Sequence, residues 1–468
     1  MSKGNQIEGR TVPIAVAALP FAVTIAGLCS VIFFWQEVPL YAALIAACAV
    51  AAGIARRYGH SWQAMFAGTG AGIKSTFFVI GILLLIAGVI SAWLASGTVP
   101  GLIWYGIQLV RPDHLVVIAF LLAAGTSMVL GTSIGTLSTM GAALAGMAAV
   151  YGISPALIGG ALVSGAMIGD RMSPLSSSYH LLAGMTGTRA EDNYRPLMST
   201  GLPMMALCAV LFWWFGSGKA GGSLDPLQSP IVQQLHAHFQ LPWHIMLPPL
   251  LVLLLALFRV KITRNLGLGM LFGVLLAVFV QGESWLSALR ALWFGYDLTV
   301  DGVRVLHGGG IWPMFNQVLL IASAGALNGL MERTGMMGTL VQVLLDRIQT
   351  GAGLVRSTVC VSIAMALVAC NQSLAIIVPS RTMRSTYDQM EVPPRYLVRG
   401  IADSGMVVSA LIPWNLHGIL CSTAIGISTG TYFGYAIYLW GLPILALLLA
   451  RYTKNNKNSD KLDKLLQF

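Results

Sequence analysis

Apolar runs of about twenty residues recur from one end of this sequence to the other, and that property removes most folds before any motif is read. A helix of about 20 residues spans a hydrocarbon layer of about 30 Å. In lipid, only helices and closed barrels satisfy all their backbone polar groups. Barrel strands alternate apolar and polar residues over about ten positions, and no such alternation runs through this chain. Its 468 residues are 56% hydrophobic and 9% charged, whereas a soluble domain carries roughly 25% charged residues. The chain reads as an all-α polytopic membrane protein of about 11–12 membrane segments. They lie near 11–35, 38–55, 76–95, 114–150, 155–190, 197–216, 243–258, 266–282, 311–331, 354–379, 395–427 and 431–450.

The formal net charge of +10 invites a nucleic-acid reading. The basic residues stand mostly in short loops and at the C-terminus, beside apolar spans, where they set orientation in the membrane. The expected partner is the lipid bilayer, with no nucleic acid. Arg56, Arg57 and Lys74 mark one connection as cytoplasmic, and Arg259, Lys261 and Arg264 mark another. Lys3 and Arg10 precede a first apolar run that reads as a retained helix rather than a cleaved leader. The tail "RYTKNNKNSDKLDKLLQF" is basic too, so both termini are expected inside. The six cysteines show no metal-type spacing and read as reduced thiols acting as small hydrophobes.

On this topology 76–95 crosses from inside to outside and 311–331 from outside to inside. Pro155 and Pro394 lie 239 residues apart, and so do Pro174 and Pro413. Matched prolines, matched interruptions and opposite orientation predict inverted-topology repeats with broken helices and re-entrant hairpins. That is the plan of many secondary transporters, with the transport site at mid-membrane between the halves. The expected organisation is N-terminal helices over 1–75, a first transport repeat over 76–196, connecting helices and a polar loop over 197–310, an inverted second repeat over 311–430, and a last helix with the basic tail over 431–468. His236 and His238 in the polar loop read as solvent-exposed rather than as metal ligands. "LHGGGIW" over 306–312 reads as a Gly-rich loop entering a helix, since no nucleophile elbow, metal signature or phosphate loop accompanies it.

A helix broken inside a bilayer frees backbone groups that lipid cannot satisfy, so breaks survive only where protein or a watery cavity supplies partners. In "GDRMSPLSSSYH", Pro174 stops the helix, and Ser173, Ser176, Ser177 and Ser178 are placed to cover the exposed groups. The matching break, "VVSALIPWNLHG", offers Ser409, Asn415 and His417 around Pro413. Freed carbonyls with hydroxyl and amide oxygens suit sodium, a hard, oxygen-seeking cation. Upstream, Thr132 and Ser133 of "GTSMVLGTSIGTLSTMG" fall opposite Asn371 and Gln372 of "ACNQSLAIIVP", each as the tip of a hairpin or bend. The alternative is that these small residues pack helices closely and bond back to their own backbone.

Intramembrane carboxylates cost at least about 2.5–3.5 kcal/mol near the bilayer centre, so they mark function by default. Asp170 opens the first break and Asp403 precedes the second. Either can hold sodium or take up a proton; the competing assignment pairs Asp170 with Arg171 or a nearby cation at a helix end, and Asp403 with Arg399, one turn away. Glu332 beside Arg333 reads as an interfacial ion pair.

The strings "LLLIAGVISAWLASGTVPGLIWYG", "GTSIGTLSTMG", "GALVSGAMIGDRMSPLS" and "ADSGMVVSALIPWN" make the chain, over about 75–451, resemble the NhaC family of sodium/proton antiporters within the wider ion-transporter superfamily. The resemblance implies a multi-pass secondary transporter of the bacterial inner membrane, with sodium and protons as transported ions, no cofactor and no covalent chemistry. Three acids of the family pattern are missing, their places taken by Ser177, Asn371 and Ala402, and His180 replaces an amide. Asp170, Asp403, Ser404, Asn415 and the "GTSIGT" tip remain. The expected sodium ligands are Asp403, Asn371 and Thr132, with Asp170, Ser133, Gln372, Ser173, Ser176, Ser404 and Asn415 around them. The expected proton carriers are Asp170, Asp403 and His180, with His417 as a further candidate. The less negative site leaves a second cargo open: a small organic molecule, an amino acid or carboxylate, met by Trp414, Tyr179, His180 and Asn415. A homo-oligomer also remains open.

Overall fold

A computed structural model describes residues 12–35, 37–217, 229–300, 303–339 and 350–452. Lys3, Arg10 and the basic tail from 453 onward, on which the placement of both termini was argued, lie outside the described residues. The helices used below are α1 (Leu19–Phe33), α2 (Tyr41–Arg57), α3 (Trp62–Ala95), α4 (Leu115–Leu130), α5 (Ser133–Val150), α6 (Pro155–Met172), α7 (Ser177–Thr186), α8 (Ala190–Gly216), α9 (Ile262–Phe279), α10 (Phe315–Arg333), α11 (Gly351–Val368), α12 (Gln372–Gln389), α13 (Pro394–Ala402), α14 (Leu416–Ile425) and α15 (Ile437–Leu449). Eight of the described helices are long and apolar enough to cross a membrane, or up to 11 spans if each bent pair is counted as one. That lies at or below the 11–12 segments expected.

Two readings of the sequence change. Lys74 does not lie in a connection: it is an exposed residue inside α3, a helix of 34 residues. At 1.5 Å per residue α3 is about 51 Å long, more than a hydrocarbon layer of about 30 Å requires, so a cation on its first half is compatible with a continuous helix. Within 354–379 two helices, α11 and α12, are separated at Ala369–Asn371, beside the tip that the sequence placed at Asn371 and Gln372. A short antiparallel pair, β1 (Tyr296–Val300) and β2 (Val303–Gly308), also departs from an all-helical chain. The glycines at 308–310 turn it into the entry to α10, and Gly309 has a φ of 68°.

The same backbone devices recur 239 residues apart. Gly131 and Cys370 both take a positive φ, 68° and 51°, as do Gly152 and Glu391, 66° and 51°, and Gly187 and Gly426, 69° and 70°. Thr132 caps α5 with φ −153° and ψ 128°, and Asn371 caps α12 with φ −144° and ψ 125°. Ser176 and Asn415 cap α7 and α14 with φ −75° and −78°. A left-handed backbone disfavours a side chain, so Cys370 and Glu391 keep the turn that glycine makes in the first half.

Small residues set the close packing. A Cβ on Gly72 of α3 would stand 2.0 Å from the carbonyl oxygen of Gly325 on α10, and one on Gly329 would stand 2.1 Å from that of Gly68. On the other side, Gly165 and Gly169 of α6 face the backbone of α4, where a Cβ would meet Phe120 O at 2.3 Å and Ser127 O at 2.1 Å. Such stripes let helix backbones touch where lipid offers no hydrophobic drive. They press α6 against α4 and so fix where its last turn, with Asp170 and Arg171, must point.

Candidate ion-binding site

Residues 173–176 break the chain after α6 and residues 412–415 break it before α14. The helix segments Pro394–Leu411 and Leu416–Ile425 meet at a bend of 55°. Each break is lined by its own polar side chains. Ser173 Oγ donates to Met128 O at 2.7 Å and accepts from Leu175 N; Ser176 Oγ donates to Asp170 O at 2.8 Å and accepts from Tyr179 N. In the second break Asn415 donates to Ala366 O at 2.8 Å and accepts from His417 N, and Trp414 Nε1 donates to Leu367 O at 2.8 Å. Leu416 N donates to Cys370 O at 2.9 Å, tying this break to the tip before α12.

Asp170 lies in the last turn of α6 and turns its carboxylate toward the N-terminus of α5. Its Oδ1 accepts from Ser133 N at 3.2 Å and its Oδ2 from Ser133 Oγ at 2.5 Å. His417 Nε2 is 3.0 Å from Asp170 Oδ2 and 2.8 Å from Ser133 Oγ. The three side chains come from α6, α5 and α14 and are all buried. A helix N-terminus presents unpaired N–H groups and the positive end of the dipole, which favours an anion there. The start of α5 thus favours the Asp170 carboxylate with no arginine or lysine among the described residues in contact with it.

Asp403 is held differently. Arg171 Nε donates to its Oδ1 at 2.9 Å and Arg171 Nη2 contacts the same oxygen; both side chains are fully buried. Arg171 also donates to Leu197 O at 2.9 Å and to Thr200 Oγ1 at 2.6 Å, both on α8. Neither arginine pairs as the competing assignment has it, although Asp170 does meet a histidine at a helix start. Arg171 turns away from Asp170, its neighbour in sequence, and the Arg399 guanidinium stands over the Tyr396 ring at 5.6 Å instead of reaching Asp403. Asp403 Oδ2, also buried, has no hydrogen-bond partner among the described residues.

The remaining expected residues divide between capping and cross-linking. Thr132 caps α5 by accepting from Gly135 N at 3.4 Å, and Asn371 caps α12 by accepting from Ser373 N at 2.8 Å. Gln372 Nε2 donates to Met406 O at 2.9 Å while its oxygen accepts from Ser178 Oγ at 3.1 Å, a link between the two halves. Ser404 Oγ bonds back to Gly400 O at 2.5 Å. His180 is exposed, with Nε2 2.8 Å from Pro174 O, and is not brought to Asp170. Among the described residues no group of three or more His, Cys, Asp or Glu side chains is arranged to hold a metal ion.

A cavity of about 650 Å³ opens between α3, α10 and the tip before α12. Glu332 and Arg333 line it along with Asn328, Ser75 and Thr76, and it reaches Asn371 and Leu416, the residue before His417. Asn328 on α10 donates to Ala369 O, covering a carbonyl freed at the tip. Nothing in the sequence singled out Asn328 or Thr200, since neither lies in a break. Arg171 had a signal, being a cation inside an apolar segment, but its partner is 232 residues away.

A sequence model of the Na+/H+ antiporter family matches residues 9–216 and 165–452. The chain belongs to this family. It is 31% identical over 446 residues to the Na(+)/H(+) antiporter NhaC of Bacillus subtilis, covering 94% of this chain and 97% of that protein. It is 32% identical over 429 residues to the NhaC of Alkalihalophilus pseudofirmus, covering 89% and 90%. A Malate-2H(+)/Na(+)-lactate antiporter of Bacillus subtilis is 26% identical over 434 residues, covering 90% and 92%. As an NhaC-type family member the chain is a secondary active transporter and not an enzyme.

Proposed function

We propose that the chain exchanges sodium for protons across the bacterial inner membrane, and that Asp170 is the carboxylate the two cations occupy in turn. The observation that carries this is the meeting of Asp170, Ser133 and His417, from three helices, beside two broken segments. Antiport requires that ion and proton compete for one group. Asp170 is buried, held only by hydrogen-bond donors and next to a helix start, so it is free to change partner. Sodium arriving through the 650 Å³ cavity takes Asp170 and Ser133 Oγ as ligands, with carbonyls freed at the tips completing its shell. When sodium leaves, Asp170 takes the proton. Asp403 is neutralised by Arg171, and in this reading it fastens α6 to α13 rather than carrying an ion. The recurrence of caps and left-handed turns 239 residues apart supports inverted repeats with hairpins entering from opposite sides, one repeat moving against the other.

In everted vesicles holding a pH gradient, sodium addition dissipates the gradient with the unaltered chain and leaves it intact with Asp170→Asn. A flat response of the unaltered chain across neutral and alkaline pH contradicts the proposal. The cavity volume favours a second reading, since 650 Å³ with Arg333, Asn328 and Asn371 on its walls admits a small carboxylate or amino acid. Sodium-dependent uptake of labelled hydroxy acids or amino acids without net proton exchange selects it.

A further inference from the structure

His417 Nε2 lies 3.0 Å from Asp170 Oδ2 and 2.8 Å from Ser133 Oγ, two oxygens hydrogen-bonded to each other at 2.5 Å, and so covers the face of that pair turned toward α14. A cation bound to both oxygens on that face overlaps the imidazole nitrogen, so there ring and ion are mutually exclusive. The ring is 8% exposed and its backbone cannot retreat. It is the second residue of α14, its N–H is held by Asn415 Oδ1 at 2.9 Å, and the preceding Leu416 N is bonded to Cys370 O. The side chain alone can vacate the position.

We propose that His417 is a specificity-determining residue of the ion site, resting on the assignment of that site to Asp170. Its imidazole fills the cation position in the ion-free form, and an ion binds only by displacing it. The Asp170 carboxylate meets the side chains of Ser133 and His417 among the described residues, and His417 fills the face that a cation would take. Every ion then binds with the loss of the contacts from His417 to Asp170 and Ser133. A small cation that gains most from the carboxylate overcomes that loss, and a large one does not.

Removing the ring removes the competitor. In proteoliposomes, Asp170-dependent antiport by His417→Ala is expected to show a sodium KM about tenfold lower, the equivalent of one hydrogen bond to a charged group. Its kcat should change by less than the KM, and potassium exchange should rise from background. The sodium concentration that half-maximally raises the melting temperature of the purified protein should fall in parallel. His417→Asn, which keeps a polar side chain at the helix start, provides the same comparison should the alanine variant fold poorly, with a smaller shift in the same direction. An unchanged or raised sodium KM in a folded variant overturns the proposal and leaves His417 as a structural or ligating residue. Asp170→Asn measured alongside separates the two failures: exchange that survives in that variant removes the site itself, whereas its loss with an unchanged KM for His417→Ala removes only the role of His417.

Discussion

Asp170 and Asp403 are both carboxylates buried at helix ends beside breaks, yet their surroundings give them opposite characters. Asp403 touches a permanent cation, Arg171, at 2.9 Å and is further fastened to α8 through Thr200. Asp170 touches only a serine and a histidine. Asp170 and Arg171 are adjacent in sequence, but successive helix positions point about 100° apart, so one residue faces α5 and α14 while the other faces α8 and α13. Burial alone therefore does not mark a transport carboxylate. What matters is whether its partner can leave, and an arginine, protonated at every working pH, cannot be discharged.

Substitutions that break the contrast are ranked by expected size. Arg171→Leu alone strands Asp403 in the interior and should destabilise the protein by about 3–5 kcal/mol, read as a loss of folded yield and melting temperature in detergent. Removing both charges, Arg171→Gln with Asp403→Asn, should recover most of that loss. Ser133→Ala deletes the hydroxyl that binds Asp170 Oδ2 at 2.5 Å. Because the same hydroxyl oxygen is the proposed sodium ligand beside Asp170, its loss should raise the sodium KM several-fold with near-normal folding. Thr200→Val removes two bonds to the locked pair, the one from Arg171 Nη2 and the one to Asp403 Oδ1, and should lower stability by about 1.5 kcal/mol, leaving the sodium KM unchanged. A Thr200→Val variant that shifts the sodium KM as strongly as Ser133→Ala would erase the distinction between the two aspartates.

The breaks themselves were readable in advance because Pro174 and Pro413 are local signals: proline lacks the N–H that a helix needs. Thr132, Ser176, Asn371 and Asn415 were readable as tip and break residues for a related reason, since short polar side chains serve helix starts. Each accepts one N–H at a helix start in this structure. The pairing of Asp403 was not readable. Arg399 lies four residues before it on the same helix face, but its guanidinium is taken up by Tyr396, and the true partner arrives from the other half of the chain. Cys370 and Glu391 concealed the second copy of the turns, because a left-handed residue that is not glycine leaves no trace in composition. His180 and His417 looked equivalent as break histidines, and only the folding of each helix start sends one outward and the other to Asp170.

The decisive measurement is sodium-driven proton movement in proteoliposomes for two folded variants side by side: Asp170→Asn, and the doubly neutral Arg171→Gln with Asp403→Asn. Exchange confined to Asp170 predicts a silent first variant and an active second one. Persistent exchange in Asp170→Asn, together with loss in the double variant, would transfer the ion site to Asp403 and contradict the assignment made here.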